Sequence, residues 1–369
     1  MTKYEAIPGS EVYSALKDQS SIILACNPRI NIGILDGLFE AAKKMNSIIV
    51  MELAKSESNL SGGYTGLTPE MFAKNVKDAA ERADWPWFII HGDHLTMRKV
   101  PEDVNIVKEL ILSQIKHGYS SFAIDASFLF NHEGKNTREE LEKNIELTTE
   151  IAHFIKSNMK GKEFGLEVEV GEIGKKDEHG LVLTTVDEAV TFINALKEND
   201  VNPNLLAIAN GSSHGNIYDE AGNPIEQISI NIPRTIEIGK AIEKFGVRIA
   251  QHGITGTPLN LIATDFPKGE IGKGNVGTYW MNIAWDVLKV FKPDLFKKIW
   301  DWVINYKQSK EKLIQVFGKN SKYAIKQFFN EIYAVDDDTR ESLKAISYSE
   351  ALKFLRAFNS KNTVNHLKR

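Results

Sequence analysis

The sequence predicts an α/β fold, a (β/α)8 TIM barrel with an extended C-terminal helical appendage. Three observations lead there. Eight short β-branched or apolar runs recur along the chain, each followed by a longer stretch at helical spacing, which is the signature of βα units and a parallel sheet. With 369 residues and 42% hydrophobic content the chain can bury one large barrel, although length alone also allows two ordinary domains. Eight parallel strands joined by helical crossovers close without leaving an edge, which favours a barrel over an open sheet.

The expected strands, in order, are 22–26 (IILAC), 47–52 (SIIVME), 87–91 (WFIIH), 120–125 (SSFAID), 164–170 (FGLEVEV), 205–209 (LLAIA), 247–251 (VRIAQ) and about 269–276. Among the helices, the one starting at Thr137 is the clearest. Leu141, Ile145, Ile151, Ala152 and Ile155 repeat near helical period behind a Thr-Arg-Glu-Glu start that suits an N-cap and capping box. Beyond residue 293 the strand signal stops. Trp300, Trp302, Val303 and Tyr306, then Leu313, Ile314 and Phe317, then Phe328, Phe329 and Ile332 follow at helical spacings. The expected division is therefore a catalytic barrel over 1–292 and a helical extension over 293–369, its aromatic side chains either packing on the barrel or forming a subunit interface.

Charge excludes several functions. The 45 basic and 49 acidic residues are mixed along the chain, for a net charge of −4, so neither nucleic acid nor an anionic membrane is an expected partner. The single cysteine, Cys26, rules out an intramolecular disulfide framework. The start MTKYEAIPGS lacks a signal-peptide pattern, and no apolar run reaches the roughly 18 to 20 residues of a membrane span. A cytoplasmic protein is the expectation.

Barrel enzymes place their sites at the carboxyl ends of the strands, so the polar residues that follow each apolar run carry the functional signal. The third run ends in His91-Gly92-Asp93-His94 and the fifth contains Glu167 and Glu169. The sixth leads to Ser213-His214-Gly215, and the seventh ends in Gln251-His252-Gly253. Three imidazoles and a carboxylate on one face suit zinc or a similar divalent transition ion better than magnesium or calcium, which prefer oxygen shells. His117, His132, His153 and His366 fall on expected helices or surface and carry no such pattern.

These residues resemble a known family. WFIIHGDH is similar to the His-x-Asp-His signature of class II, metal-dependent fructose-bisphosphate aldolases, and GYSSFAIDAS resembles that family's fourth strand and turn. LEVEVGEIG, SSHGNIY, AQHGITGT and GKGNVGT resemble its later segments in the same order, so the likeness spans about 22–290. The resemblance implies His94, Glu169, His214 and His252 as the metal's ligand set, not all four necessarily bound at once. It implies Asp93 as the group handling the C4 hydroxyl proton and Glu178 as the base at the carbon beside the carbonyl. Asn27 and Asn275 would contact the sugar, and Gly215, Gly253, Thr255, Gly256, Thr257 and Thr278 the phosphate next to the ketone. Asp125 and Glu167 would be outer carboxylates or an alternative metal path.

For the whole protein the resemblance implies cleavage of a ketose bisphosphate, fructose 1,6-bisphosphate first, to dihydroxyacetone phosphate and an aldehyde. It also implies zinc or another divalent transition metal, a monovalent cation as a possible second ion, a sugar phosphate substrate, and a homodimer or homotetramer. Tagatose bisphosphate, a ketose monophosphate, another modified sugar, or metal-dependent isomerisation or epimerisation are the alternatives.

Two further signals compete. Gly272-Lys273-Gly274-Asn275-Val276-Gly277 has GxGxxG spacing, but it follows seven strands instead of opening a nucleotide-binding unit. Lys273 could form a Schiff base, a reading that leaves three strand-end histidines unexplained. The chain also departs from the family. Leu95 and Lys175 stand where small residues are usual, and the loop before Glu178 carries an extra residue. Asn216-Ile217-Tyr218-Asp219-Glu220 replaces a Tyr-Lys pair with two acids, and Gly277 replaces an Asp common in fructose-bisphosphate enzymes.

Overall fold

The computed structural model describes residues 4–174, the backbone of 176–177 and 180, and residues 181–306 and 310–367. Its centre is a closed eight-stranded parallel barrel. The strands are β1 (Ile23–Cys26), β2 (Ile49–Ala54), β3 (Phe88–Thr96), β4 (Ser121–Asp125), β5 (Gly165–Val170), β6 (Leu205–Ile208), β7 (Arg248–Gln251) and β8 (Ile271–Val276). They pair in sequence order, and β1 closes on β8 with Ile23 opposite Lys273 and Ala25 opposite Asn275. All eight expected strands are present within a few residues of their expected limits.

Because side chains alternate along each strand, two sets are buried on opposite faces. Leu24, Ile49, Met51, Phe88, Ile90, Leu206 and Ile249 point outward into the layer between barrel and helices. Ile23, Ala25, Val50, Ile89, Leu205, Ala207 and Ala250 point inward, where Val12, Tyr13 and Leu16 close the amino end of the barrel. The helix Gly9–Ala15 that carries this plug is tied on by bonds from Ile7 N to Phe88 O and from Gly9 N to Ser120 O. Higher along the same interior the side chains become polar: Glu52, His91, Glu167 and Lys273, all buried, then Asp93, Glu169, His252 and Asn275 at the carboxyl end.

The helix expected from Thr137 is divided. A short helix Thr137–Glu140 is followed by Glu142–Asn158, and the cap is Asn136, whose side chain accepts from Glu139 N, not Thr137. Asn136 precedes the apolar periodicity by several residues, so the pattern alone does not mark it. A capping box does occur at Thr185, which accepts from Glu188 N at 3.1 Å at the head of Val186–Glu198.

The C-terminal helices Pro293–Tyr306, Leu313–Asn320 and Asp337–Ala357 wrap the barrel. Trp300 stacks on Phe317 with ring centroids 4.8 Å apart, and Trp285 of helix Thr278–Phe291 meets the same Phe317 edge-on. The last long helix lies on helix Ile34–Met45, where a Cβ at Gly37 would fall 2.3 Å from Lys344 O. Beyond it the chain returns to the barrel base, with Ile22 N donating to Phe358 O and Asn362 N to Met45 O. Among the described residues no helix is long and apolar enough to cross a membrane.

The contact at Gly37 gives a test. Gly37→Leu should separate these helices and cost about 1–3 kcal/mol as an overpacking defect. Gly269→Ala, whose Cβ would meet nothing within 4 Å, should leave the urea midpoint nearly unchanged. Equal midpoints for the two variants would contradict the packing described.

Candidate active site and metal centre

A cavity of about 650 Å³ opens at the carboxyl end of the barrel. Its walls include Asn27, Asp93, His94, Asp125, Glu169, His214, Gly215, His252, Gly253, Thr255, Asn275 and Thr278. Twelve of the sequence-derived candidates therefore meet in one space. Glu167 lies beneath the floor, Gly256 and Thr257 lie outside the lining, and Glu178 falls outside the described residues.

The third strand shows how adjacent residues come to share the cavity. On a regular strand Asp93 and His94 would face opposite sides, so the sequence suggests divergent directions. Here the pairing of β3 with β4 shifts register between Gly92 and Leu95, and His94 has φ of 40°. This bulge brings both side chains into the cavity at a cost of about 1–3 kcal/mol for the left-handed backbone.

The imidazoles converge. Ring centroids of His94 and His252 are 4.4 Å apart and those of His94 and His214 are 5.3 Å apart. A ring nitrogen from each of the three lies within 4.8 Å of the others, and His94, Asp125 and Glu169 form a second such group. His94 donates from Nδ1 to Glu169 Oε2 at 3.0 Å, and His252 from Nε2 to Glu167 Oε1 at 2.8 Å. Each bond fixes a tautomer and leaves the other ring nitrogen as a ligand, the arrangement that outer carboxylates impose on metal-binding histidines.

Two observations fit this set to a divalent transition ion. Nε2 of His94 is buried without a hydrogen-bond partner among the described residues. In addition Glu52, Asp93, Glu167, Glu169 and Asp125 crowd five buried carboxyl groups into this end of the barrel, and Lys273 reaches only Glu52 and Glu167. Burial and the neighbouring Asp125 push Glu169 up to about 8, against the pull of His94. Burial disfavours protonated His94, but Asp93 and Glu169 outweigh it and hold the imidazole well above its ordinary range.

Asp93 behaves oppositely. Burial alone would raise it, yet His94, His252, Lys273 and a bond from Asn27 hold it well below the usual carboxylate range. Asn27 Nδ2 donates to Asp93 Oδ2 at 3.0 Å, while Asn275 Nδ2 lies 3.5 Å from Oδ1 and 2.6 Å from Glu52 Oε1. The Asn275 Oδ1 is buried without a partner among the described residues and is available to a hydroxyl donor.

Lys273 lies below the cavity, fully buried, with Nζ 3.0 Å from Glu52 Oε2 and 2.6 Å from Glu167 Oε2. Burial opposes its charge, but the two carboxylates keep it above the ordinary lysine range. A Schiff base needs a neutral, accessible amine, so the structure argues against that role. The GxGxxG run containing it is simply the inner-facing last barrel strand.

Several site residues carry no sequence signal. Arg29 donates from Nε to Glu57 Oε1 at 2.6 Å, and Tyr64 OH donates to the same oxygen at 2.8 Å. Buried Gln227 bridges two loops, accepting from Ser213 N at 2.9 Å and donating to Gly253 O. Those loops touch because Gly253, at φ of 66°, has no Cβ, which would sit 2.8 Å from Ser213 O. Lys322 reaches the cavity from the C-terminal extension. Asp219 and Glu220 are exposed, and Asp219 bonds Asn223 in its own turn, so neither acid enters the cavity.

A family model described as fructose-bisphosphate aldolase class-II matches residues 9–335. Similar solved structures include the YdjI aldolase from Escherichia coli K12, 20% identical over 96% of this chain and 98% of that one, with a TM-score of 0.59. A fructose-bisphosphate aldolase from Campylobacter jejuni is 19% identical over 98% and 97%, with a TM-score of 0.64. Fructuronate-tagaturonate epimerase UxaE from Cohnella laeviribosi is 11% identical over 99% and 83%, with a TM-score of 0.62. At these identities the structural likeness shows the fold. No curated protein matches the chain in sequence.

Metal binding should be coupled to protons. Because folded Glu169 titrates near 8, above an unfolded carboxyl, its contribution to metal-free stability is present at low pH and is lost as pH rises through about 8. An incoming ion needs the carboxylate ionised. Calorimetry in buffers of different ionisation enthalpy should therefore show net proton release on ion binding at pH 7, from Glu169 and from the His94 imidazole, declining as pH rises past about 8. Separately, Lys273→Met should destabilise the fold by about 3–5 kcal/mol in chemical denaturation, since two buried carboxylates lose their cation.

Proposed function

Because the chain belongs to the class II fructose-bisphosphate aldolase family, we propose that it catalyses reversible aldol cleavage of a ketose bisphosphate, with fructose 1,6-bisphosphate the first candidate and dihydroxyacetone phosphate and an aldehyde the products. The observation that carries this reading is the convergence of three imidazoles beside an ionised, doubly anchored Asp93 in one cavity. His94, His214 and His252 would hold the ion, zinc on the chemistry of the donors, with Glu169 orienting His94. When bound, the ion supplies Lewis-acid stabilisation of the charge that C3–C4 cleavage leaves on the carbonyl side.

The chain's own groups handle the rest. Asp93 accepts the C4 hydroxyl proton as the C3–C4 bond breaks, the O–H electrons forming the aldehyde C=O bond and the C3–C4 pair passing to the ketone-side fragment, and returns that proton in the synthetic direction. Its low proton affinity keeps it ionised and ready to accept at neutral pH. Asn27 and Asn275 fix its direction, and the free Oδ1 of Asn275 accepts from a sugar hydroxyl. Glu178 is the proposed proton donor to C3 in cleavage and base in synthesis. The loop amides of Gly215 and Gly253 and the hydroxyls of Thr255 and Thr278 face the phosphate beside the ketone.

Gly277 supports a second substrate, tagatose bisphosphate, because a small residue at this place accompanies that specificity in the resembling family. A panel of ketose phosphates compared by kcat/KM separates the two.

Exhaustive chelation should abolish cleavage and zinc or cobalt restore it; turnover that survives chelation contradicts the reading. Asp93→Asn should lower kcat by about 10²–10⁴ with metal content unchanged. An aldehyde product detected through a coupled dehydrogenase distinguishes cleavage from epimerisation.

A further inference from the structure

We propose that Arg29 is a substrate-binding residue, its guanidinium held by Glu57 and given room by Gly277 so that it binds the phosphoryl group beside Thr278. The inference rests on the aldolase reading and identifies the cation that the loop after β6 lacks.

That loop carries Asp219 and Glu220 but no lysine, and both acids lie outside the cavity. A phosphate dianion held only by amides and hydroxyls would have no charge partner in a partly closed space. Arg29 comes from the other side, on the loop that follows β1. Its Nε is engaged by Glu57 at 2.6 Å and its Nη1 donates to Thr278 Oγ1 at 3.1 Å. Its position is therefore set before any ligand arrives.

The remaining edge of the fork faces Gly277. A Cβ there would lie 3.3 Å from Arg29 Nη2 and 3.5 Å from the Asn27 side chain, so a longer side chain would occupy the space into which the guanidinium opens. An aspartate at 277 would do more, since its carboxylate would pair with Arg29 and withdraw it from a ligand. The arginine at 29 and the glycine at 277 thus work together.

Local charge agrees. Lys322 lies half-buried in the same cavity wall and has no carboxylate partner among the described residues. Its Nζ is 5.6 Å from the Tyr64 ring centroid, and the Arg29 guanidinium carbon is 5.9 Å from the same centroid. Arg29 and Lys322 bring two cations to this end of the cavity, which suits a phosphate monoester and not a neutral sugar end.

The test uses the full chain loaded with zinc and titrated calorimetrically with dihydroxyacetone phosphate, inorganic phosphate and unphosphorylated dihydroxyacetone. The double variant Arg29→Gln, Glu57→Gln removes the cation without leaving a buried charge unpaired. It should weaken both phosphate ligands about 10- to 100-fold, the range for a charged hydrogen bond, with dihydroxyacetone binding within about twofold. Gly277→Asp, which leaves Arg29 and Glu57 in place, should reproduce that pattern. Unchanged phosphate affinity in either variant, or equal losses for dihydroxyacetone and its phosphate, would overturn the proposal. If wild-type protein shows Arg29-dependent phosphate binding yet cleaves no ketose phosphate, the aldolase reading fails and the role of Arg29 stands. If wild-type protein binds neither phosphate ligand, both fail.

Discussion

The ammonium of Lys273, buried between Glu52 and Glu167 halfway up the barrel, is the interaction on which the site depends. Below it the interior is largely aliphatic and closed by the N-terminal plug; above it the inward side chains are mostly polar. Two buried carboxylates without this cation would take up protons or open the barrel to water. With it each keeps a second oxygen free for other work. Glu52 uses its own to hold Asn275, and Glu167 uses its own to hold His252.

The site is thus built in tiers, each fixed by the one beneath. The charged middle tier orients Asn275 and His252, and those with Asn27 and Glu169 orient Asp93 and His94. The same crowding separates the proton affinities of neighbouring acids. Asp93, surrounded by His94, His252 and Lys273, is held well below the usual carboxylate range, whereas burial and then the neighbouring Asp125 push Glu169 up to about 8. Environments that drive two carboxyls apart are how a single pocket comes to contain both a proton acceptor and a metal-responsive group.

The C-terminal extension belongs to this arrangement. It buries helix Ile34–Met45 of the barrel through the gap at Gly37 and carries Lys322 into the cavity wall. Its aromatic residues largely pack on one another and on helix Thr278–Phe291, the helix whose first residue, Thr278, lines the site.

The barrel was legible in the sequence because its strands are buried on both faces and so read as unbroken apolar runs, while strand ends are where polar residues interrupt them. That is why His94, Glu169, His214 and His252 could be singled out before any coordinates. Periodicity could not show the bulge that turns Asp93 and His94 into one cavity, since a register shift depends on how β3 meets β4. Nor could it mark Arg29, Glu57, Tyr64, Gln227 or Lys322, which lie in loops or the extension, far apart in sequence, and meet only when the barrel closes. The sequence determined the architecture and the donor types, because burial and chemistry are properties of residues and their spacing. Which of those donors face each other, which carboxylate stays charged and where the cations stand were decided by tertiary structure, because distance and desolvation exist only in the folded chain.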